Sequence, residues 1–160
     1  MIENWKITGP CTDQATACVV ILRALPEWFG MEQSIINYGS DIARLPTFVA
    51  KTERAVIGFL TLKIHTAYAA EIWVMGVHPD YHRQGVGKAL LAEAEHYLCD
   101  AAIEYLQVKT ISVADASPSY AKTRAFYAAV GFRPLEELTE LWSEENPCLQ
   151  MIKWIGAETQ

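Results

Sequence analysis

The stretch from Ala69 to Val113 constrains the fold most. "AAEIWVMGV" (69–77) is apolar and β-rich, "HPDYHRQGVGK" (78–88) is a turn, and "ALLAEAEHYLCDAA" (89–102) has helical spacing. "EYLQVKTISV" (104–113) is β-rich again. Leu90, Leu91, Ala94, Leu98 and Ala101 draw one apolar stripe, which must lie on a sheet. With a helix between them, the two strands can be parallel neighbours joined by a right-handed crossover.

The rest of the chain builds around that unit. A strand at 5–8 is expected to stop at Gly9 and Pro10; Thr12 or Asp13 then caps a helix carrying Ala15, Cys18, Val19 and Leu22, which Pro26 closes. A second helix is predicted over 31–43. "TFVAK", "TER" and "AVIGFLTLKIH" read as a hairpin, and "AAEIWVMGV" makes it a three-stranded meander. Ser117 and Pro118 start a helix that Gly131 stops, near residue 130. Two strands, in "FRPLEELTELW" and "PCLQMIKWI", follow. The expected class is α+β, with one domain spanning 1–160 and neither repeat nor linker.

A net charge of -6 argues against broad attraction to nucleic acid or to anionic membranes, so any phosphate site must be local. Cys11, Cys18, Cys99 and Cys148 form no C-x-x-C pair and have no histidine at ligand spacing, so no metal is expected and free thiols are. The start, "MIENWKITGP", reads as neither signal nor anchor, and the expectation is a soluble, cytoplasmic protein.

Gly85 and Gly87 sit where a strand has ended and a helix begins. Backbone N–H groups there lack helical partners and point out at the positive helix end, a geometry that binds phosphate. His82, Arg83 and Lys88 can add charge. The plainer alternative is an exposed turn with stray basic residues. A P-loop would need Gly at 82 and Ser or Thr at 89, where this chain has His82 and Ala89. A dinucleotide fingerprint would need Gly at 90, which is Leu90.

Together, "VHPDYHRQGVGKALL" (77–91) and "TRAFYAAVGFRPL" (123–135) resemble the GNAT N-acetyltransferase family, whose signature is Q/R-x-x-G-x-G/A. The resemblance covers nearly the whole chain. It implies a mixed, mostly antiparallel sheet of seven strands, splayed between two parallel strands and flanked by four helices. It assigns the backbone of Arg83, Gln84, Gly85, Val86, Gly87 and Lys88 to the pyrophosphate of acetyl-CoA, and Val77 to the pantetheine arm. Gly76 would mark a bulge that starts the splay. His82 takes the place of the leading Gln or Arg. Tyr120 stands where many members carry an Asn that holds the pantetheine.

The resemblance also implies chemistry. Tyr127, the Tyr of "RAFYAAVGF", would protonate the leaving thiolate; the competing reading is a core tyrosine beside Phe126. Glu71 is the one acid in its strand and precedes Gly85 by the offset of the base glutamate in the family's histone acetyltransferases. It would take the proton of the incoming ammonium, directly or through water; otherwise it is a surface residue on the solvent side of the strand. No cysteine lies in either motif, so direct attack in a ternary complex is expected. The acceptor would be a small-molecule amine or a peptide, near Trp28, Phe29 and Tyr38, with Glu136, Glu137, Glu144 and Glu145 to attract a cation. Dimerisation is common among the family's members. The alternatives are a noncatalytic acyl-CoA-binding module and a nucleotide-binding protein.

Overall fold

A computed structural model describes residues 3–156. The elements run β1 (Lys6–Cys11), α1 (Ala15–Arg23), α2 (Glu32–Ile42), β2 (Thr47–Lys51), β3 (Val56–Ile64) and β4 (Ala69–Val77). They continue with α3 (Val86–Asp100), β5 (Tyr105–Ile111), α4 (Pro118–Ala129), β6 (Arg133–Leu138) and β7 (Cys148–Trp154). The strand order is β1-β2-β3-β4-β5-β7-β6. One pair, β4 with β5, is parallel, and the fold is α+β as expected. The chain divides into two compact units. One comprises residues up to Lys63 with Trp73–Leu98; the other comprises Ile64–Ile72 and residues from Cys99 onward.

In the first unit β1 runs through Gly9 and Pro10, where the sequence had suggested a break. It pairs only with β2 and its register shifts between Thr8 and Cys11. An edge strand tolerates a proline because one side of its backbone has no ladder to feed, and the shift takes up the irregularity. The helix α1 starts after Gln14 with no side-chain cap, so Thr12 and Asp13 lie ahead of it. Cys18, Ile21 and Leu22 of α1 and Ile35 and Ile42 of α2 bury against Val49, Phe59 and Val74 of the strands. Each such side chain contributes about 1.5–3 kcal/mol. Two glycines leave room for side chains packed on the sheet. A Cβ on Gly58 would lie 3.1 Å from Val86 of α3, and one on Gly76 would lie 3.0 Å from Leu25. Close packing is thus the visible role of Gly76.

In the second unit the parallel register of β4 and β5 runs from Ala69↔Tyr105 to Ile72↔Val108. β5 then pairs along its whole length with β7, and β7 with β6. The end of α4 is set by Gly131 at φ 104°, where Phe132 N donates to Tyr127 O (3.0 Å) and Gly131 N to Ala128 O (3.2 Å). These are the two bonds of a Schellman stop, and the Tyr127 and Phe132 rings supply its apolar contact at 5.5 Å. Among the described residues, no helix is long and apolar enough to cross a membrane.

Candidate active site

The first unit holds the glycine turn. After β4 a short 3-10 turn, Pro79–Tyr81, is started by His78, whose Nδ1 accepts from Asp80 N at 3.2 Å. The chain then reaches φ 64° at Arg83 and 78° at Gly85 before α3 begins. Positive φ at two residues flanking Gln84 re-aims the N–H groups of the turn, the kind of backbone from which concave anion seats are built. Arg83 holds this conformation despite its side chain, at a cost of about 1–2 kcal/mol. At Gly85 a Cβ would meet nothing within 4 Å, so the space beside that backbone is open. The first N–H groups of α3, on Val86, Gly87 and Lys88, have no carbonyl a turn earlier and face the same end. Val86 is buried; His82, Arg83, Gln84, Gly85 and Lys88 are exposed.

His82 does not act as a loose cation. Its Nε2 lies 2.7 Å from Val77 O and donates to it, and its ring meets Trp28 edge-on at 6.4 Å. It therefore ties the turn back to the end of β4. Trp28, Phe29 and Tyr38 pack partly buried against the core of this unit, with Phe29 and Tyr38 edge to face at 5.9 Å.

The second unit holds Glu71 and Tyr127. Glu71 is not on a solvent face: its side chain is 4% exposed. Lys109 Nζ, on β5, donates to both carboxylate oxygens at 3.0 and 3.1 Å, and His65 Nε2 lies 2.7 Å from Oε1. A buried carboxylate needs such partners, since burying it alone costs several kcal/mol. Neither His65 nor Lys109 stood out in the sequence. The available signals were a histidine six residues before Glu71 at a hairpin tip and a lysine inside an apolar strand.

Tyr127 is buried in α4 between Phe126 and Phe132, and burial pushes its phenol well above the ordinary tyrosine range. The group stays protonated at neutral pH and can only donate as an acid. Arg124, one turn earlier, donates from Nη1 to Ile111 O (2.8 Å) and Ser112 O (3.0 Å), which fixes α4 against the end of β5. Tyr120 is half-buried in the first turn of α4. Thr110, on β5, has a buried hydroxyl with no hydrogen-bond partner, a cost of about 1–3 kcal/mol that a ligand amide could offset. Glu136, Glu137, Glu144 and Glu145 are exposed, and Glu137 accepts from Ser112 Oγ.

The family model described as the acetyltransferase (GNAT) domain matches residues 43–134, a span holding β4, the glycine turn and α4. The chain belongs to the GNAT acetyltransferase family. This GNAT chain also shares its fold with solved structures. A GNAT-family protein from Desulfovibrio desulfuricans is 15% identical, covers 95% of this chain and 99% of its own, and superposes with a TM-score of 0.83. The ribosomal-protein-S18-alanine N-acetyltransferase of Escherichia coli is 19% identical over 98% and 97% of the two chains, with a TM-score of 0.77. The PaiA N-acetyltransferase of Thermoplasma acidophilum, solved in complex with coenzyme A, is 19% identical over 94% and 99%, with a TM-score of 0.73. No curated protein matches the chain by sequence.

Proposed function

We propose that the protein transfers an acetyl group from acetyl-CoA to a primary amine of a small molecule or peptide, by direct attack in a ternary complex. The observation that carries this reading is the backbone seat at Arg83–Gly85 leading into α3, inside a GNAT domain. Anion binding by backbone N–H groups suits a pyrophosphate, and Gly85 leaves room for it. Lys88 and Arg83 add positive charge beside it, with Gln84, Val86 and Gly87 contributing backbone. Val77, its carbonyl already held by His82, pairs with the pantetheine arm, and a backbone N–H near it steadies the carbonyl oxygen as that turns negative. Tyr120 stands on α4 as a further pantetheine contact.

The amine must first lose a proton, which passes to the buried cluster at Glu71. The neutral nitrogen attacks the thioester carbon, the carbon–sulfur bond breaks, and the departing sulfur takes a proton from the Tyr127 phenol. That phenol is restored by the second proton of the attacking nitrogen. The products are the acetamide, free CoA thiol and one proton passed to solvent.

The test is release of CoA thiol from acetyl-CoA across a panel of amines and peptides, read with intact-protein mass. Release with at least one amine, and no acetylated cysteine on the protein, is the expected result. Acetyl-CoA binding without release across the panel would favour a noncatalytic acyl-CoA module. Stronger thermal stabilisation by ATP or NAD than by CoA would favour a nucleotide-binding protein.

A further inference from the structure

We propose that His65, rather than Glu71 itself, takes the proton from the incoming ammonium, with Glu71 and Lys109 acting as positioning residues for its ring. This rests on the acetyltransferase reading above and names the atom at which its first proton step occurs.

The argument starts from what Glu71 already holds. Lys109 Nζ spans both of its oxygens at 3.0 and 3.1 Å, and Oε1 also accepts from His65 at 2.7 Å. To take a proton directly, the carboxylate would have to surrender part of this contact and leave the Lys109 charge in a site where its side chain is 23% exposed. The other reacting partner is itself a cation, so two positive groups would compete for one carboxylate.

His65 has the complementary arrangement. An ionised carboxylate only accepts, so the ring nitrogen facing it, Nε2, carries the hydrogen, and the lone pair lies on Nδ1. The His65 side chain is 31% exposed, which allows an amine to reach it and the proton to leave. The ring is also preorganised. His65 N donates to Ala69 O at 2.9 Å, and Thr66 Oγ1 accepts from Tyr68 N and Ala69 N, both at 3.1 Å, so the hairpin tip is held by its own bonds.

Glu71 on β4 and Lys109 on β5 are the charged groups of the cluster that the ring meets, and burial pushes the Cys148 thiol of β7 up, so it stays neutral. Ammonium and neutral imidazole become free amine and imidazolium: the N–H bond of the ammonium breaks and a bond to Nδ1 forms. The imidazolium then returns its proton to water. Glu71 and Lys109 keep their charges throughout.

The experiment compares full-length wild type with His65→Gln, using acetyl-CoA and an amine found active in the thiol-release screen. Gln can still donate to Glu71 but cannot take a proton. The expected result is a fall in kcat/KM of about a hundredfold at neutral pH, with acetyl-CoA affinity unchanged. The acidic limb of the pH profile moves to the titration of the free amine, and added imidazole restores part of the rate. Lys109→Met is expected to lower kcat while leaving the KM for acetyl-CoA unchanged, the split of a residue that positions the ring. An unchanged kcat/KM and pH profile in His65→Gln, with or without loss of stability, would overturn the proposal and leave His65 a structural partner. A wild type silent towards every amine would instead overturn the acetyltransferase reading, and the role of His65 with it.

Discussion

The turn after β4 is distinguished by its backbone, whereas the cluster around Glu71 is built of side chains drawn from three segments. At the turn the informative features are left-handed conformations at Arg83 and Gly85 and an open space where a Cβ would sit. Side chains there are exposed, and the bond from His82 to Val77 O serves to hold the backbone. Around Glu71 the backbone is ordinary strand, and three ionisable groups meet because β4 lies beside β5 and the β3–β4 hairpin folds back. A backbone seat should tolerate loss of its side chains but not of its dihedral angles. A side-chain cluster should behave the opposite way.

The largest test of that contrast is Glu71→Leu. Removing the carboxylate strands the Lys109 charge, and unfolding free energy by urea is expected to fall by about 3 kcal/mol, the low end for a broken buried pair because Lys109 is partly exposed. Adding Lys109→Met should recover most of it, since an apolar pair replaces an ionic one. Failure of the second substitution to recover stability would mean that the cluster is not a paired unit.

A smaller effect is expected at the turn. His82→Leu removes the donor to Val77 O, and CoA affinity by calorimetry should weaken about fivefold, the equivalent of about 1 kcal/mol. Arg83→Gly should do less still. It removes a charge but relieves a left-handed arginine, so stability is expected to rise by a few tenths to about 1 kcal/mol while CoA affinity falls less than about fivefold. A loss of affinity far beyond that would make the seat a side-chain site after all.

The pH dependence of stability offers the gentlest comparison. Tyr127 has a folded-state pKa raised by burial, and the Cys18 thiol is pushed up to about 12. Each keeps its proton in the fold after the unfolded chain has begun to ionise. Their contribution is complete below the unfolded values, about 8.5 for the thiol and about 10 for the phenol, and drains away as pH rises through the folded ones. Urea midpoints should therefore fall steadily on the alkaline side, and Tyr127→Phe should flatten the later part of that fall.

The same contrast explains what could be read from residue order. The glycine turn is local: strand, two glycines and helix lie within one short run, so spacing alone exposed it and motif exclusions narrowed it. The α4 stop was visible for the same reason, since Gly131 and Phe132 adjoin the helix they close. The state of Glu71 was not visible, because alternation along a strand gives two faces and does not say that Lys109, 38 positions away, would cover one of them. β1 outran its expected end because edge position, a property of the sheet, decides whether Gly9 and Pro10 break a strand. Gly76 marked a special point in β4, and its visible use is to admit Leu25 and Ile21 of the first unit. Thr110 carried no sequence signal, since an unpaired hydroxyl is recognised only once its surroundings are known.

The proposed function gives donor binding to the backbone of the turn and protonation of the leaving sulfur to Tyr127. The most direct measurement is CoA affinity and kcat side by side in Gly85→Val and Tyr127→Phe, each checked for folding by thermal unfolding. The account predicts that Gly85→Val, which forces a β-branched residue to φ 78° and fills the open space, weakens CoA about a hundredfold. It predicts that Tyr127→Phe lowers kcat by about a hundredfold with CoA affinity within about twofold of wild type. Equal losses of affinity and turnover in Tyr127→Phe, or wild-type affinity in a folded Gly85→Val, would contradict it.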